Sequence, residues 1–220
     1  MKYELLTFAG KRTIMTNNNI TISGDPGSGK SSVTAILQEQ LGYERVSVGL
    51  IQREIAASMN MSAVEFNRYM ETHPEIDHEC DRRVAELGQR QGIIFDSRMA
   101  WRFVPLSFKV FLTVEEQIAA KRIFGDTNRI GESFDDIGEA VSKIRERRDS
   151  ERLRFKLQYD ADLSDFSNYD LIVETSDSSP TKTAACILHN YYLHAEQKPF
   201  RRQWLGNWTE SEEFRLIINL

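Results

Sequence analysis

The sequence predicts an α/β protein in three layers, a parallel five-stranded sheet with helices on both faces. Three observations predict it. Segments of strand and helix character alternate along the chain. The strand-like runs around IIF, VFL and LIV are continuously apolar, as strands covered on both faces are. A loop with three glycines, GDPGSGKSS at 24–32, stands between the first strand and the first helix, and parallel sheets bind ligands beyond the carboxyl ends of their strands.

Each element has its own signal. NITIS (19–23) is a short strand entering the glycine loop. Residues 30–41 read as a helix with Val33, Ile36 and Leu37 on one face. RVSV (45–48) is a strand and 50–59 a helix; Ser62 and Glu65 form a capping box that opens the next helix. Pro74 suits a first helical position, and Ile76, Cys80, Val84 and Leu87 then recur at helical spacing up to Gln91. GIIFD (92–96) and KVFLTV (109–114) are strands, followed by a helix over 115–124 and a polar loop, GDTNRIGES (125–133). A long helix spans about 134–157, YDLIVET (169–175) is the last strand, and Pro180 opens a helix to about His194. Residues 195–220 hold Trp204, Trp208 and Phe214 without a clear partner pattern. Gly24, Asp96 and Thr113 all fall at carboxyl ends of strands.

The bulk properties bound the function. A chain of 220 residues suits one domain and buries a core without disulfide or metal staples. A net charge of -5 argues against a broad nucleic-acid or anionic-membrane footprint. Two cysteines, Cys80 and Cys186, make no disulfide framework and no C-x-x-C zinc pair. A reducing cytoplasm is the simplest compartment. No run of eighteen apolar residues suggests a spanning helix, and MKYELLTFAGKRTI lacks the apolar core of a signal peptide. The domain proper is expected over 18–194, with 1–17 as an added strand or upstream extension and 195–220 as a C-terminal extension. A monomer is expected.

The glycine loop carries the chemistry. Gly24, four residues, then Gly29-Lys30-Ser31 fits G-x-x-x-x-G-K-[ST]. Glycine lets successive backbone N–H groups point inward at phosphate oxygens, and the helix N-terminus behind them favours an anion. Residues 24–32 (Gly24, Asp25, Pro26, Gly27, Ser28, Gly29, Lys30, Ser31 and Ser32) are therefore the expected ATP cradle. Lys30 would reach the β- and γ-phosphates and the Ser31 hydroxyl would ligate Mg²⁺. The plainer reading is a flexible glycine turn. GTPases, motors and kinases share this P-loop NTPase signature; a guanine-reading N-K-x-D is absent, and the size and scattered arginines favour a small-molecule kinase.

Further residues carry a narrower resemblance. ITISGDPGSGKSSV resembles the opening of a cytidylate kinase of the short, archaeal-type branch of the P-loop nucleoside monophosphate kinases. SVGLIQREIAASMNMSAVEFNRYMETHPEIDHECDRR (47–83) resembles that branch's acceptor-binding region. GIIFDSRMAW (92–101) resembles its third strand and arginine turn, and IRERRDSERLRFKLQYDADLSDFSNYDLIVETS (144–176) its lid-side helix and last strand. The likeness covers about 18–192 and implies a helical acceptor-binding insertion near 49–91 and a small lid near 122–134. Two departures stand out. Asp25 occupies a position where such kinases usually carry proline, and an acid there repels a triphosphate unless it turns away. Met99 replaces the second aspartate of the longer bacterial enzymes, as an apolar residue does throughout the short branch.

The resemblance assigns roles residue by residue. Arg53 holds the acceptor's phosphate, a task that suits a planar guanidinium. Arg98 grips the acceptor nucleotide, and Asp96 holds a Mg²⁺-bound water or the acceptor. Asp77 is a candidate to accept a bond from cytosine's exocyclic amine. Independently, the apolar stripe Ile137, Val141, Ile144 on the long helix continues into Arg148 and Glu151 before Phe155 restores it. Charge thus replaces oil on a face that should be buried. Arg147, Glu151 and Arg154 share one arc of that helix. In the family, Arg147 and Arg154 match residues on transferring or acceptor phosphates, and Glu151 one beside the acceptor sugar. Arg122 and Arg129 flank the polar loop as lid arginines over ATP. The plainer readings are a solvated arginine for Arg53, a strand-end cap for Asp96 and a row of helix ion pairs for the 147–154 cluster. The histidine pairs His73/His78 and His189/His194 are five apart, a spacing that aligns no metal ligands on one helix face.

These expectations describe transfer of the γ-phosphoryl of ATP to CMP or dCMP, with small nucleotides as the only partners. Two alternatives stay open at this stage: another small phosphate acceptor such as UMP or AMP, and a non-catalytic P-loop module whose tail, 195–220, docks a partner through Trp204, Trp208 and Phe214.

Overall fold

The computed structural model describes residues 18–126, 134–200 and 202–204. β1 (Ile20–Gly24) leads through the glycine loop into α1 (Lys30–Leu41) and β2 (Glu44–Ser47). Three helices follow, α2 (Val48–Ser58), α3 (Ala63–Thr72) and α4 (Pro74–Leu87). Then come β3 (Ile93–Asp96), the short α5 (Ala100–Phe103), β4 (Phe108–Thr113), α6 (Glu116–Phe124) and the long α7 (Ile137–Tyr159). β5 (Leu171–Glu174), α8 (Pro180–Ala195) and β6 (Gln203–Trp204) complete the order.

All strand pairs are parallel, in the order β2-β3-β1-β4-β5-β6. The five expected strands are the first five in the chain. The sixth comes from the segment expected as a C-terminal extension: β5 offers an open backbone edge, and Ile172 and Val173 pair there with Gln203 and Trp204. Trp208, Phe214, Arg129 and the segment 1–17 lie outside the described residues. Among the described residues no helix is long and apolar enough to cross a membrane.

One face of the sheet packs Ile20, Ile22, Val110, Leu112 and Val173 against α1 and α8 through Val33, Leu37, Ile187 and Tyr191. On the other face Phe95 and Ile93 pack on α4 and α5, while Phe111 and Ile172 meet Trp101, Phe155 and Tyr169. Each fully buried side chain of this size contributes roughly 1.5–3 kcal/mol. Trp101 is 8 % exposed, its ring 5.7 Å from Tyr169.

Local chemistry sets the boundaries. The capping box on Ser62 and Glu65 forms in both directions, and Pro74 opens α4. β2 ends one residue earlier than expected because the Ser47 hydroxyl accepts from the Leu50 N–H and starts α2. α7 begins at Ile137, after Asp136, whose carboxylate accepts from the Glu139 N–H at 2.8 Å. Gly24 (φ 146°) and Gly27 (φ 78°) cannot be replaced: an added Cβ would lie 2.3 Å from the Leu112 carbonyl oxygen or 2.8 Å from the Ala119 backbone. Phosphate loop, β4 and α6 are thereby packed backbone to backbone.

Candidate active site

The carboxyl ends of β1, β2 and β3, the start of α1, and the inner faces of α2, α4 and α7 enclose a cleft of about 590 Å³. At one end lies the phosphate loop. Gly29 is left-handed, and no side chain caps the first N–H groups of α1, so those donors are open to an anion. Lys30 Nζ donates to the Gly24 and Asp25 carbonyls at 2.7 and 2.8 Å. Burial, and then Arg98, hold its pKa well below the ordinary lysine value, with Asp96, Glu151 and Asp25 opposing; a phosphate here would add to the groups that favour the charged amine.

Residues 26–32 line the cleft, whereas Gly24 and Asp25 are not among the lining residues. Asp25 turns aside: its Oδ1 lies 3.9 Å from Arg148 Nε. The repulsion expected of this acid therefore has a cation to offset it. Arg122 lines the cleft and is anchored, its guanidinium donating to the Thr175 and Ser176 carbonyls at 2.7 and 3.0 Å. The Thr175 hydroxyl donates to the Thr113 carbonyl at 2.9 Å and lies 3.1 Å from the Ser28 carbonyl, which ties the end of β5 to the loop.

Asp96, at the end of β3, accepts from the Ser31 and Ser47 hydroxyls, both at 3.3 Å on Oδ2. Two hydroxyls around one carboxylate beside a phosphate cradle are hard oxygen donors. They fit Mg²⁺, which takes one or two protein ligands and completes its shell with phosphate and water. Among the described residues no group of three or more His, Cys, Asp or Glu side chains is placed to form an all-protein metal cage.

The other end of the cleft holds the arginines. Glu151, 5 % exposed, receives Arg98 Nε at 2.8 Å and Arg147 Nε at 2.9 Å. Burial works to raise its pKa, but Arg98 and Arg147 outweigh it and hold the carboxyl at about 2. Arg154, 3 % exposed, pairs its charge with Asp77, Nε lying 2.7 Å from Oδ2, and donates from Nη1 to both oxygens of Asn67 at 3.2 Å. Asp77 Oδ1 accepts from Gln52 at 3.4 Å. The carboxylate nominated to read cytosine thus accepts from Gln52 on Oδ1, while Oδ2 faces Arg154 in an ion pair without a hydrogen bond. Burial chiefly raises its pKa, with Arg154 opposing. Arg53 lines the same wall. The arc Arg147, Glu151, Arg154 does overhang the cleft, and Arg98, Asp96 and Arg53 meet it there; the charge interrupting the apolar stripe marked the place.

Sequence reading missed Gln52, Ser47 and Asn67, which orient the charged groups, and the pair Asp81–Tyr159, whose hydroxyl and carboxylate are hydrogen-bonded. Asp81 lies one helical turn beyond Asp77, the only signal that pointed to it.

A phosphate cradle on a doubly wound sheet, facing an arginine cluster across one cleft, defines a P-loop phosphotransferase for small molecules. A family model described as an AAA domain matches residues 20–153. The cytidylate kinase of Pyrococcus abyssi is 37% identical over 169 residues, covering 76% of this chain and 90% of that one. That of Methanocaldococcus jannaschii is 36% identical over 162 residues, covering 71% and 88%. The shikimate kinase of Bacteroides thetaiotaomicron superposes with a TM-score of 0.55 over 80% of this chain and 99% of that one, at 11% identity, a likeness of fold. The chain belongs to the cytidylate kinase family, and it is a nucleoside monophosphate kinase with ATP as its phosphoryl donor.

Proposed function

We propose that this kinase transfers the γ-phosphoryl group of ATP to CMP or dCMP, giving the diphosphate and ADP. The observation that carries the reading is the single cleft of about 590 Å³ with Lys30 and the phosphate loop at one end and Arg53, Arg98, Arg147 and Arg154 at the other. Two anions must meet end to end there, and the arginines offset their repulsion. An acceptor phosphate is already ionised and needs no strong base, so positioning and charge neutralisation supply most of the rate.

In this reading residues 24–32 and Arg122 bind ATP, with Gly24 and Asp25 contributing through the carbonyls that hold Lys30. Arg53 and Arg98 hold the acceptor phosphate, Arg147 and Arg154 face the transferring group, and Asp77 keeps Arg154 in place. Glu151 sets the two arginines it binds and faces the acceptor sugar. Ser31, with Asp96 behind it, would hold Mg²⁺, which would neutralise charge on the phosphates. The catalytic domain is 18–194, its acceptor region about 49–91 and its lid about 122–134, of which 127–133 lie outside the described residues; the task of a lid here is to exclude water from ATP. The enzyme acts as a monomer in the cytoplasm on small nucleotides alone.

The test is ADP formation by purified protein with ATP-Mg and a panel of monophosphates. CMP and dCMP are expected to outrun UMP and AMP. Lys30→Ala is expected to abolish turnover, and Arg98→Ala to raise the acceptor KM while ATP binding stays. Unchanged acceptor kinetics in Arg98→Ala would overturn the site map.

A further inference from the structure

Two carboxylates on α4 line the acceptor end of the cleft, Asp77 and Asp81, and they differ in what already holds them. Asp77 faces a guanidinium at 2.7 Å and an amide at 3.4 Å. Asp81 is nearly as buried, 8 % exposed, yet among the described residues no cation lies within ion-pairing distance of it. The hydrogen bond its carboxylate receives comes from the Tyr159 hydroxyl, on Oδ2. A buried charge without a cation is costly, and a cleft wall is where a ligand can compensate that cost.

We infer that Asp81 reads the base of the acceptor nucleotide, accepting a hydrogen bond from an exocyclic amino group. An ionised carboxylate only accepts. Tyr159, behind Asp81, spends its one proton on Oδ2, so what Asp81 turns to the cleft is lone pairs alone. The wall at Asp81 offers acceptors. Cytosine presents an amino group where uracil presents a carbonyl oxygen. The first completes the wall, and the second sets oxygen against oxygen and leaves buried acceptors unpaired, which sites of this kind reject strongly. The inference rests on the proposed pyrimidine monophosphate acceptor and names the residue that selects it.

Burial raises the Asp81 carboxyl to about 6, the Tyr159 hydroxyl opposing it. The groups around it are Asp77, His78 and Cys80 on α4 and Arg154 and Tyr159 on α7; Asp77 raises its pKa further, and His78 and Arg154 lower it. Discrimination needs the ionised form, so the preference for CMP weakens as pH falls through about 6.

The experiment compares kcat/KM for CMP and UMP at saturating ATP-Mg, in wild type, Asp81→Asn and Tyr159→Phe, across pH. Ionisation of the acceptor phosphate cancels in the CMP/UMP ratio. Wild type is expected to favour CMP, with the ratio falling on acidification. Asp81→Asn, whose amide can donate to a carbonyl, is expected to shrink the ratio by roughly tenfold or more, through the monophosphate KM, with the ATP KM unchanged. Tyr159→Phe is expected to move the inflection to higher pH, because the hydroxyl favours the ionised acid. A CMP-selective wild type with the same ratio in Asp81→Asn, or an unmoved inflection in Tyr159→Phe, overturns the role of Asp81 and leaves the kinase reading standing. A wild type that turns over neither pyrimidine, or prefers UMP, overturns both.

Discussion

Asp25 shows how one residue's cost depends on its neighbour. An acid in a phosphate loop opposes ATP, but Arg148 lies 3.9 Å away, and the two side chains are 22 % and 24 % exposed. A pair this open is worth about 0.2–1 kcal/mol. Removing the cation alone uncovers the acid. Arg148→Ala is expected to raise the ATP KM by about two- to fivefold, and adding Asp25→Asn is expected to restore it; a double-mutant cycle on ATP KM reads the coupling. Asp81 gives a second effect at this scale. Its folded pKa of about 6 lies above the ordinary 3.8, so its contribution to stability is fully present below 3.8 and is lost as pH rises through about 6. Asp81→Asn is therefore expected to melt higher than wild type at neutral pH, with the advantage gone below 3.8. Stability given up at a cleft wall is a common mark of a functional group.

The elements differ in how openly the sequence announces them. The glycine loop and β1 were legible because a phosphate cradle needs fixed residue types at fixed spacing. α7 was legible as a site because Arg148 and Glu151 interrupt an apolar stripe. Asp81–Tyr159 and Arg154–Asn67 were not, since their partners are 78 and 87 residues apart and only the fold brings them together. α5, four residues long, is too short for any period to show. The role of α7 as carrier of the arginines is testable through Glu151. Its folded pKa of about 2 lies below the ordinary 4.5, so the stability it contributes is present above 4.5 and is lost as pH falls through about 2. Melting curves of wild type and Glu151→Gln are expected to be separated at neutral pH and to converge across that acid window. The same variant is expected to raise the acceptor KM more than the ATP KM, because Arg98 and Arg147 lose their common anchor.

For the whole molecule, the parallel sheet was legible because strands covered on both faces carry uninterrupted apolar runs. The sixth strand was not, since two residues carry no alternation. Its attachment lies in a neighbour: Arg202 donates from Nε to the Tyr169 carbonyl at 2.9 Å and from its terminal nitrogen to the Ser167 and Phe166 carbonyls at 2.9 and 3.1 Å. Arg202→Ala is expected to lower stability by about 1–2 kcal/mol in denaturant titration and to leave kcat unchanged. That outcome would make the segment a brace for the sheet edge rather than part of the cleft.

Trp101 sits three positions after Arg98 on the same turn, its indole packed on Tyr169 and sheltered from solvent. Its fluorescence is an optical reporter adjoining the acceptor pocket, where no label has to be attached. Any shift of that turn as a nucleotide arrives would change the emission intensity, so occupancy could be followed in real time with a spectrometer and no coupled assay.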